Sequence, residues 1–312
     1  MPQLTVAITY HNEGPFLSKC LQSFWVGPEK PDEILIYDDA STVRPESYVP
    51  SDIPVRIIRS ESNQGPAKGR NILLKEAKSE WIHFHDADDW VRPTWVAKVK
   101  SQATSDCDLV LTEVTSYQEN HLLSESVVGL KELEKASGLL PFAISRFILV
   151  PAGVFRTELA RKIEGYRESL WQSEDWDFYV RLVATQPRFK VLLENLVGIQ
   201  VRKESRSQNH VETLTCALQA ILCLEKELPQ EARTYLAEKA AWIGTRLFQI
   251  DQRALAREAF SVARTLGPAQ FLNQKPSYRF LAKYGGQELA EWISLLYRKA
   301  LPEILRKKLR FY

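Results

Sequence analysis

The sequence predicts an α/β fold: a mainly parallel, Rossmann-like sheet flanked by helices, followed by a helical C-terminal region. Three observations carry this expectation. In the first part of the chain, short apolar runs rich in β-branched and aromatic residues alternate with segments of helical periodicity, the pattern of βαβ units. Polar clusters directly follow three of these runs, and ligands of such sheets sit beyond the carboxyl ends of the strands. From about residue 211 the strand pattern stops and only apolar stripes at helical spacing continue.

Strands are expected at residues 4–10, 33–37, 55–59, 81–84 and 109–112, with helices at 14–25, 66–77 and 93–103. Pro15, Pro66 and Pro93 lie near the helix starts, where a missing N–H is harmless. The second helix is entered through Asn63-Gln64-Gly65-Pro66-Ala67-Lys68-Gly69-Arg70-Asn71. Gly65 and Pro66 mark the entry, Gly69 permits close approach of another backbone, and Arg70 can offer a planar cationic fork to a phosphate or carboxylate. Lys68 reads as a solvated charge.

Later helices are expected at 212–226, 230–250 and 252–266, separated by Pro229 and Asp251 and stopped by Gly267 and Pro268. Ala254, Ala256, Ala259, Phe260 and Ala263 resemble the small-and-large pattern of paired helical repeats, in too few units for an array. Residues 289–312 set Trp292, Leu295, Leu296, Leu301, Ile304 and Leu305 among basic side chains. Such a stretch lies in the interface of an anionic membrane, or packs on the domain with its cations in water.

Composition bounds the function. The 312 residues are 45% hydrophobic and 26% charged, an ordinary globular chain long enough for one large domain or for one domain plus an appendage. The formal charge of +2 argues neither for nor against nucleic acid, and no such partner is expected; it is uneven, residues 298–312 carrying +5 and the remainder −3, so the basic tail is the candidate for peripheral membrane contact. Cys20, Cys107, Cys216 and Cys223 lack zinc spacing and are too few for a disulfide scaffold, which reads as free thiols in a reducing compartment. No basic segment leads into an apolar run at the N-terminus and no run reaches the roughly 18 apolar residues of a membrane span. The expected address is the cytoplasm, or the inner face of its membrane.

Residues 81–90 read Trp-Ile-His-Phe-His-Asp-Ala-Asp-Asp-Trp, a strand-like run ending in Asp86, Asp88 and Asp89. Carboxylates suit hard cations such as Mg²⁺ or Mn²⁺, which bind through one or two acidic side chains plus substrate phosphates. The plainer alternative is that Asp88 or Asp89 caps the helix after Pro93. Tyr10-His11-Asn12-Glu13 and Asp38-Asp39-Ala40-Ser41 also follow strands, so three segments converge on one rim, although each singly could be turn chemistry.

Together, residues 9–13, 38–41, 63–71 and 85–89, then Val154-Phe155-Arg156, Glu164-Gly165-Tyr166-Arg167-Glu168 and Ser173-Glu174-Asp175-Trp176-Asp177-Phe178 with Arg181, resemble glycosyltransferase family 2, of the GT-A fold. The likeness covers about residues 1–207 and implies a nucleotide-binding half, 1–112, and an acceptor-binding half, 113–207, in one continuous sheet, ahead of the helical region 208–312. It implies a metal-dependent, inverting transfer of a sugar from a nucleoside diphosphate sugar, a UDP-sugar first among them, to a hydroxyl acceptor in polysaccharide or glycolipid assembly. Thr9, Tyr10 and Glu13 would line the nucleotide pocket, Asp38 or Asp39 would bond the base, and Arg70 would steady the nucleotide end. Asp86 would contact the ribose side and Asp88 the metal, with Asp89 a local cap or supporting group.

Asp175 is the candidate base: the attacking hydroxyl must lose a proton, and a carboxylate within reach can take it. Glu174, Trp176, Arg202, Glu204 and Arg206 are candidates for the acceptor or the diphosphate, and Asp177 would face solvent. An acidic first helical turn complementing the helix dipole is the structural alternative for 174–177. Two departures from the family stand out. Glu164 replaces the first of two glycines before the aromatic, and Glu204 stands where a histidine is usual, so Glu204 or His210 would have to take that role. The second departure also admits a catalytically silent nucleotide-sugar-binding module or scaffold. A nucleotidylyltransferase is disfavoured because residues 10–14 hold a single glycine.

Overall fold

The computed structural model describes residues 2–119, 121–202, 205, 208–269 and 275–300. The chain divides into two compact units, Met1–Gln208 and Asn209–Tyr312. Glu204, Arg206 and the tail beyond residue 300 lie outside the described residues.

In the first unit the strands are β1 (Leu4–Tyr10), β2 (Glu33–Asp38), β3 (Arg56–Arg59), β4 (Trp81–Asp86), β5 (Trp90–Val91), β6 (Leu109–Gln118), β7 (His121–Ser124), β8 (Gly153–Arg156) and β9 (Phe189–Gln200). They form one sheet in the order β3-β2-β1-β4-β8-β6-β9-β5, with β7 on β6. The helices are α1 (Pro15–Trp25), α2 (Pro66–Glu76), α3 (Trp95–Gln102), α4 (Leu139–Ser145), α5 (Thr157–Lys162) and α6 (Glu174–Ala184). The first four strands are parallel, as the βαβ alternation requires. In the second half only β6 and β9 are parallel, while β8, β5 and β7 run antiparallel to their neighbours.

Two strands run two or more residues past their expected ends because buried polar groups are paired. β4 continues through His83 and His85, whose fully buried rings are 3.0 Å apart at Nε2 and Nδ1, with His83 Nδ1 also 2.9 Å from the Gly153 carbonyl. β6 continues through buried Glu113, whose carboxylate accepts from the Gly129 and Leu130 amides. Polar residues in an interior strand break the apolar pattern without breaking the strand, because satisfied hydrogen bonds remove most of the burial cost.

Register sets the site. Thr9 lies opposite both Tyr37 and Asp86, and Tyr10 opposite Asp38, so the carboxyl ends of β1, β2 and β4 finish on one rung. α2 packs on this part of the sheet at Gly69, where a Cβ would stand 2.5 Å from the Tyr37 ring. The neighbour that glycine admits is thus an aromatic side chain rather than another backbone. On the same face, Phe84, Phe155, Tyr166 and Phe178 form one aromatic cluster, Tyr166 stacking on Phe178 at 4.2 Å. This cluster fixes α6 against β4 and β8, and with it the acidic first turn of α6.

Glu164, at the departure from the two-glycine pattern, takes φ +61°, with Gly165 beside it at φ +68°. A non-glycine residue is strained in that region. Glu164→Gly, at this exposed position, is expected to raise the urea midpoint by the equivalent of roughly 0.5 kcal/mol, the strain relief slightly exceeding the unfolded-state entropy of glycine. A lowered midpoint would mean that the side chain contributes more than its backbone costs.

The second unit consists of α7 (His210–Glu227), α8 (Arg233–Gln249), α9 (Arg253–Leu266), α10 (Pro276–Gly285) and α11 (Gln287–Ala300). α8 and α9 approach closely through Gly244, where a Cβ would stand 2.4 Å from the Phe260 ring, and Ala256, Ala259 and Ala263 are buried beside it. Ala254, grouped with them by spacing, is exposed. α11 leaves most of its apolar stripe exposed, although Trp292 also meets Phe248 of α8 edge-on at 5.6 Å. The four cysteines are free, and no described helix is long and apolar enough to cross a membrane.

Candidate active site

The site grows from three strand ends, the entry of α2 and the first turn of α6. Beyond β1 the chain bends through Asn12 (φ +66°) and Gly14 (φ +55°) into α1. Asn12 Oδ1 accepts from the amides of Thr42 and Val43 at 2.9 Å each, tying this loop to the one after β2. Tyr10 is buried, its hydroxyl donating to the Val43 carbonyl at 2.6 Å and accepting from the Gly14 amide at 3.2 Å. Burial raises its pKa. Glu13 accepts from the His11 amide, and burial likewise raises its pKa.

Asp38 and Asp39 use their carboxylates to build the rim. Asp38, fully buried, pairs with Arg59 and accepts from the Ser41 amide at 3.0 Å. Asp39 accepts from the Gln64 and Gly65 amides at 2.7 and 2.9 Å, which anchors the entry of α2. Beside them opens a pocket of about 570 Å³ whose walls include Ser41, Thr42, Arg44, Arg59, Ser60 and Glu61.

At the centre, Arg70 joins elements far apart in sequence. Its Nη2 donates to Asp86 Oδ1 at 2.9 Å and its Nη1 to Glu174 Oε1 at 2.8 Å, while its guanidinium lies 5.2 Å from the Tyr166 ring centre. The Arg70 and Glu174 side chains are 3% and 8% exposed, so this pair works with little solvent screening. Burial opposes the guanidinium charge, but Asp86, Tyr166 and Glu174 hold Arg70 protonated above the usual arginine value. Thr9 Oγ1 donates to the same Asp86 oxygen at 3.0 Å. Burial would raise the Asp86 pKa; Arg70 and Thr9 bring it below the ordinary value.

Glu174 and Asp175 have opposite surroundings. Asp175 accepts from the Trp176 amide at 2.7 Å, and burial with Glu174 beside it pushes its pKa up to about 7, against the pull of Arg70. A carboxyl poised there exchanges its proton near neutral pH. Ser173, in the left-handed conformation at φ +58°, sets the turn that starts α6.

The third acidic group lies past β4. Asp88 Oδ2 pairs with Arg202 at 2.7 Å, and the Arg202 guanidinium lies 5.5 Å from the Phe16 ring centre. Burial and the Asp86 charge push the Asp88 pKa up to about 6, Arg202 pulling the other way. Asp89 accepts from the Gln200 amide at 2.9 Å, holding the loop to the end of β9. The N-cap of α3 is Thr94, so neither Asp88 nor Asp89 caps that helix. Among the described residues no three His, Cys, Asp or Glu side chains form a metal cage.

Two expectations are corrected. Trp176, grouped with the acceptor contacts, is a core side chain: it is fully buried and its indole N–H donates to the Ala143 carbonyl at 3.0 Å. Asp177, expected to face solvent, is fully buried and pairs with Arg167 at 3.2 Å and Arg181 at 2.8 Å. Both follow from α6 being enclosed on several sides, which an acidic run does not announce. One residue at the rim escaped the sequence reading. Trp171, 46% exposed, leans against Gly65, where a Cβ would stand 3.0 Å from the indole. A lone tryptophan carries no motif, and only its place four residues before Asp175 could have pointed to it.

Residues 5–144 match the model of glycosyl transferase family 2. The succinoglycan biosynthesis protein ExoU of Rhizobium meliloti is 25% identical over 96% of this chain and 85% of its own length. Of other curated relatives, glycosyltransferases 23 to 27% identical, the chain spans only 63% to 69% of the length. The S. aureus TarS fragment 1–349, solved with UDP-GlcNAc, superposes with a TM-score of 0.70 at 16% identity, covering 96% of this chain and 93% of that one. The mannosyltransferase PcManGT of Pyrobaculum calidifontis, solved with GDP-Man and Mn²⁺, gives 0.59 at 18% identity, covering 96% and 88%. These likenesses show the GT-A fold.

Proposed function

The chain belongs to glycosyl transferase family 2 through residues 5–144, and from that premise we propose that it transfers a sugar from a nucleoside diphosphate sugar to a hydroxyl acceptor, with inversion and with the help of a divalent cation. The observation that carries this reading is the Arg70 clamp between Asp86, at the end of β4, and Glu174, the neighbour of Asp175. It couples the donor-side rim to a carboxyl whose pKa near 7 suits a general base. The 96% coverage of this chain by the succinoglycan biosynthesis protein supports a place in surface-polysaccharide assembly.

In this reading the loops after β1 and β2 hold the nucleotide. Tyr10, Thr9 and Glu13 line its pocket, with the base beside Asp38 and Asp39. Arg70 orients the nucleotide end by fixing Asp86 rather than by reaching solvent itself. Asp175 takes the proton of the acceptor hydroxyl as its oxygen attacks the anomeric carbon. The bond to the diphosphate breaks on the opposite side of that carbon, which inverts its configuration. Trp171, exposed near Asp175, offers a flat face for a sugar ring.

The residues present fit a hard cation. Asp88 is a buried carboxylate with Asp86 close enough to raise its pKa, and a cation there would share it with Arg202, which pairs with its Oδ2 at 2.7 Å. Mg²⁺ or Mn²⁺ needs only one or two such groups when phosphates and water complete its shell, so Asp88 would hold it with Asp86 nearby. When bound, the cation supplies Lewis-acid stabilisation of charge on the leaving diphosphate. Asp88→Ala is expected to weaken binding of the nucleoside diphosphate at least about tenfold with Mn²⁺ present and to change it little without. A thermal-shift panel of UDP, GDP and their sugars, with and without Mn²⁺, measures this and identifies the base. Equal metal-dependent stabilisation of wild type and variant removes Asp88 from the metal role.

A further inference from the structure

We infer that α11, with the exposed aromatic pair of α10, is the surface through which the second unit docks on an anionic lipid membrane. The orientation of α11 is the first ground. Its inward residues are small or polar: Gln287, Ala290 and Glu291 are 5%, 0% and 1% exposed. Glu291 accepts from the Tyr278 hydroxyl at 2.6 Å and the Thr245 hydroxyl at 2.8 Å, which pins this side of the helix inward. Its outward residues are Leu289, Trp292, Ile293, Leu296 and Tyr297, 47%, 44%, 39%, 61% and 59% exposed. Their spacing puts them on one stripe, the reverse of a helix that serves only to close a soluble core.

α10 carries an exposed aromatic pair of its own, on the face away from Tyr278 and Ala282. Phe280 and Tyr284, one turn apart and 64% and 69% exposed, hold their rings 4.8 Å from each other. Single exposed apolar side chains need no explanation, whereas a continuous stripe of them marks an interaction surface.

Charge and side-chain type select lipid as the occupant. Tryptophan and tyrosine favour the boundary between hydrocarbon and headgroups, where one end of the ring is dry and the other wet. Cations border the patch: Arg279 and Lys283 are exposed on α10, while the Arg253 guanidinium, which stacks over Phe248 and Trp292 at 3.6 and 4.8 Å, is already paired with Asp251 at 2.9 Å. In sequence, residues 298–312 add six Lys or Arg against the single acid Glu303. Glu288 opens α11 as its one half-exposed acid, 3.9 Å from Arg257. An anionic headgroup layer complements such a surface, whereas a second copy of the chain would bring like charges together.

The test is sedimentation of the full chain with vesicles of phosphatidylcholine alone and of phosphatidylcholine with phosphatidylglycerol. Binding is expected to be at least about tenfold tighter to the anionic vesicles and to weaken as salt is raised. Leu289→Glu with Leu296→Glu is expected to lose at least about tenfold of that affinity with an unchanged melting curve, both positions being exposed. Phe280→Ser with Tyr284→Ser, on the neighbouring helix, gives an independent and smaller loss should the first variant melt early. Equal binding to both vesicles, no binding to either, or a concentration-dependent dimer that Leu296→Glu dissociates would each overturn the inference. Vesicle binding is measured without donor or acceptor, so it is independent of the transfer reaction.

Discussion

Asp175→Asn is expected to lower the transfer rate about 10³-fold while leaving donor affinity nearly intact, the loss typical of removing a positioned general base. Asn preserves the acceptor atom for the Trp176 amide and the shape of the turn, so the change isolates the proton transfer. Wild-type turnover is expected to rise with pH through about 7, where Asp175 ionises, and the residual rate of the variant to lose that inflection. Stability moves the other way. The folded pKa of Asp175 lies above its ordinary 3.8, so the contribution of the neutral carboxyl is complete below that value and is lost as pH rises through about 7. Asn carries no charge to bury, and the variant is therefore expected to melt above wild type at pH 8, the difference shrinking steadily as pH falls from about 7 toward 4. A variant that keeps full turnover takes Asp175 out of the base role; donor binding with no turnover even in wild type would favour a silent binding module.

Arg70→Met is expected to give the largest loss of stability, about 3 kcal/mol in urea unfolding, because it leaves Glu174 buried without its cation. Asp86, 37% exposed, is partly rescued by water, which keeps the figure at the low end for a broken buried pair. Donor binding should fall with it, since Asp86 loses the group that orients it. Adding Glu174→Gln removes the stranded charge and is expected to recover a large part of the loss, so the two substitutions together cost less than their sum. Strict additivity would show that Arg70 acts on Asp86 alone.

Much of the site was legible in the sequence because its chemistry sits at strand ends. The clusters at 10–13, 38–41 and 85–89 each follow an apolar run, and parallel pairing must bring such ends to one edge. The motif order proposed Asp175 as the base, which no spacing argument alone distinguishes from helix-dipole acids. The clamp was out of reach: Arg70 and Glu174 are 104 residues apart, and nothing local to either marks the other as its partner.

The sequence by itself determined the alternation of strands and helices in the first unit, the change to helices near residue 211, and the residue types at the rim, because periodicity, turn residues and strand-end polarity are local properties. Only the tertiary structure decided which way each face points and which charges meet. It buried Trp176 and Asp177 where an exposed acidic turn was expected, ran β4 and β6 on through polar residues that found partners, and turned the sheet mixed beyond β4. It also set the apolar stripe of α11 outward, by hydrogen-bonding Glu291 on the opposite side. The physical reason is common to all of these. A helical or strand period says which side chains share a face, whereas burial and pairing depend on what the rest of the chain brings against that face.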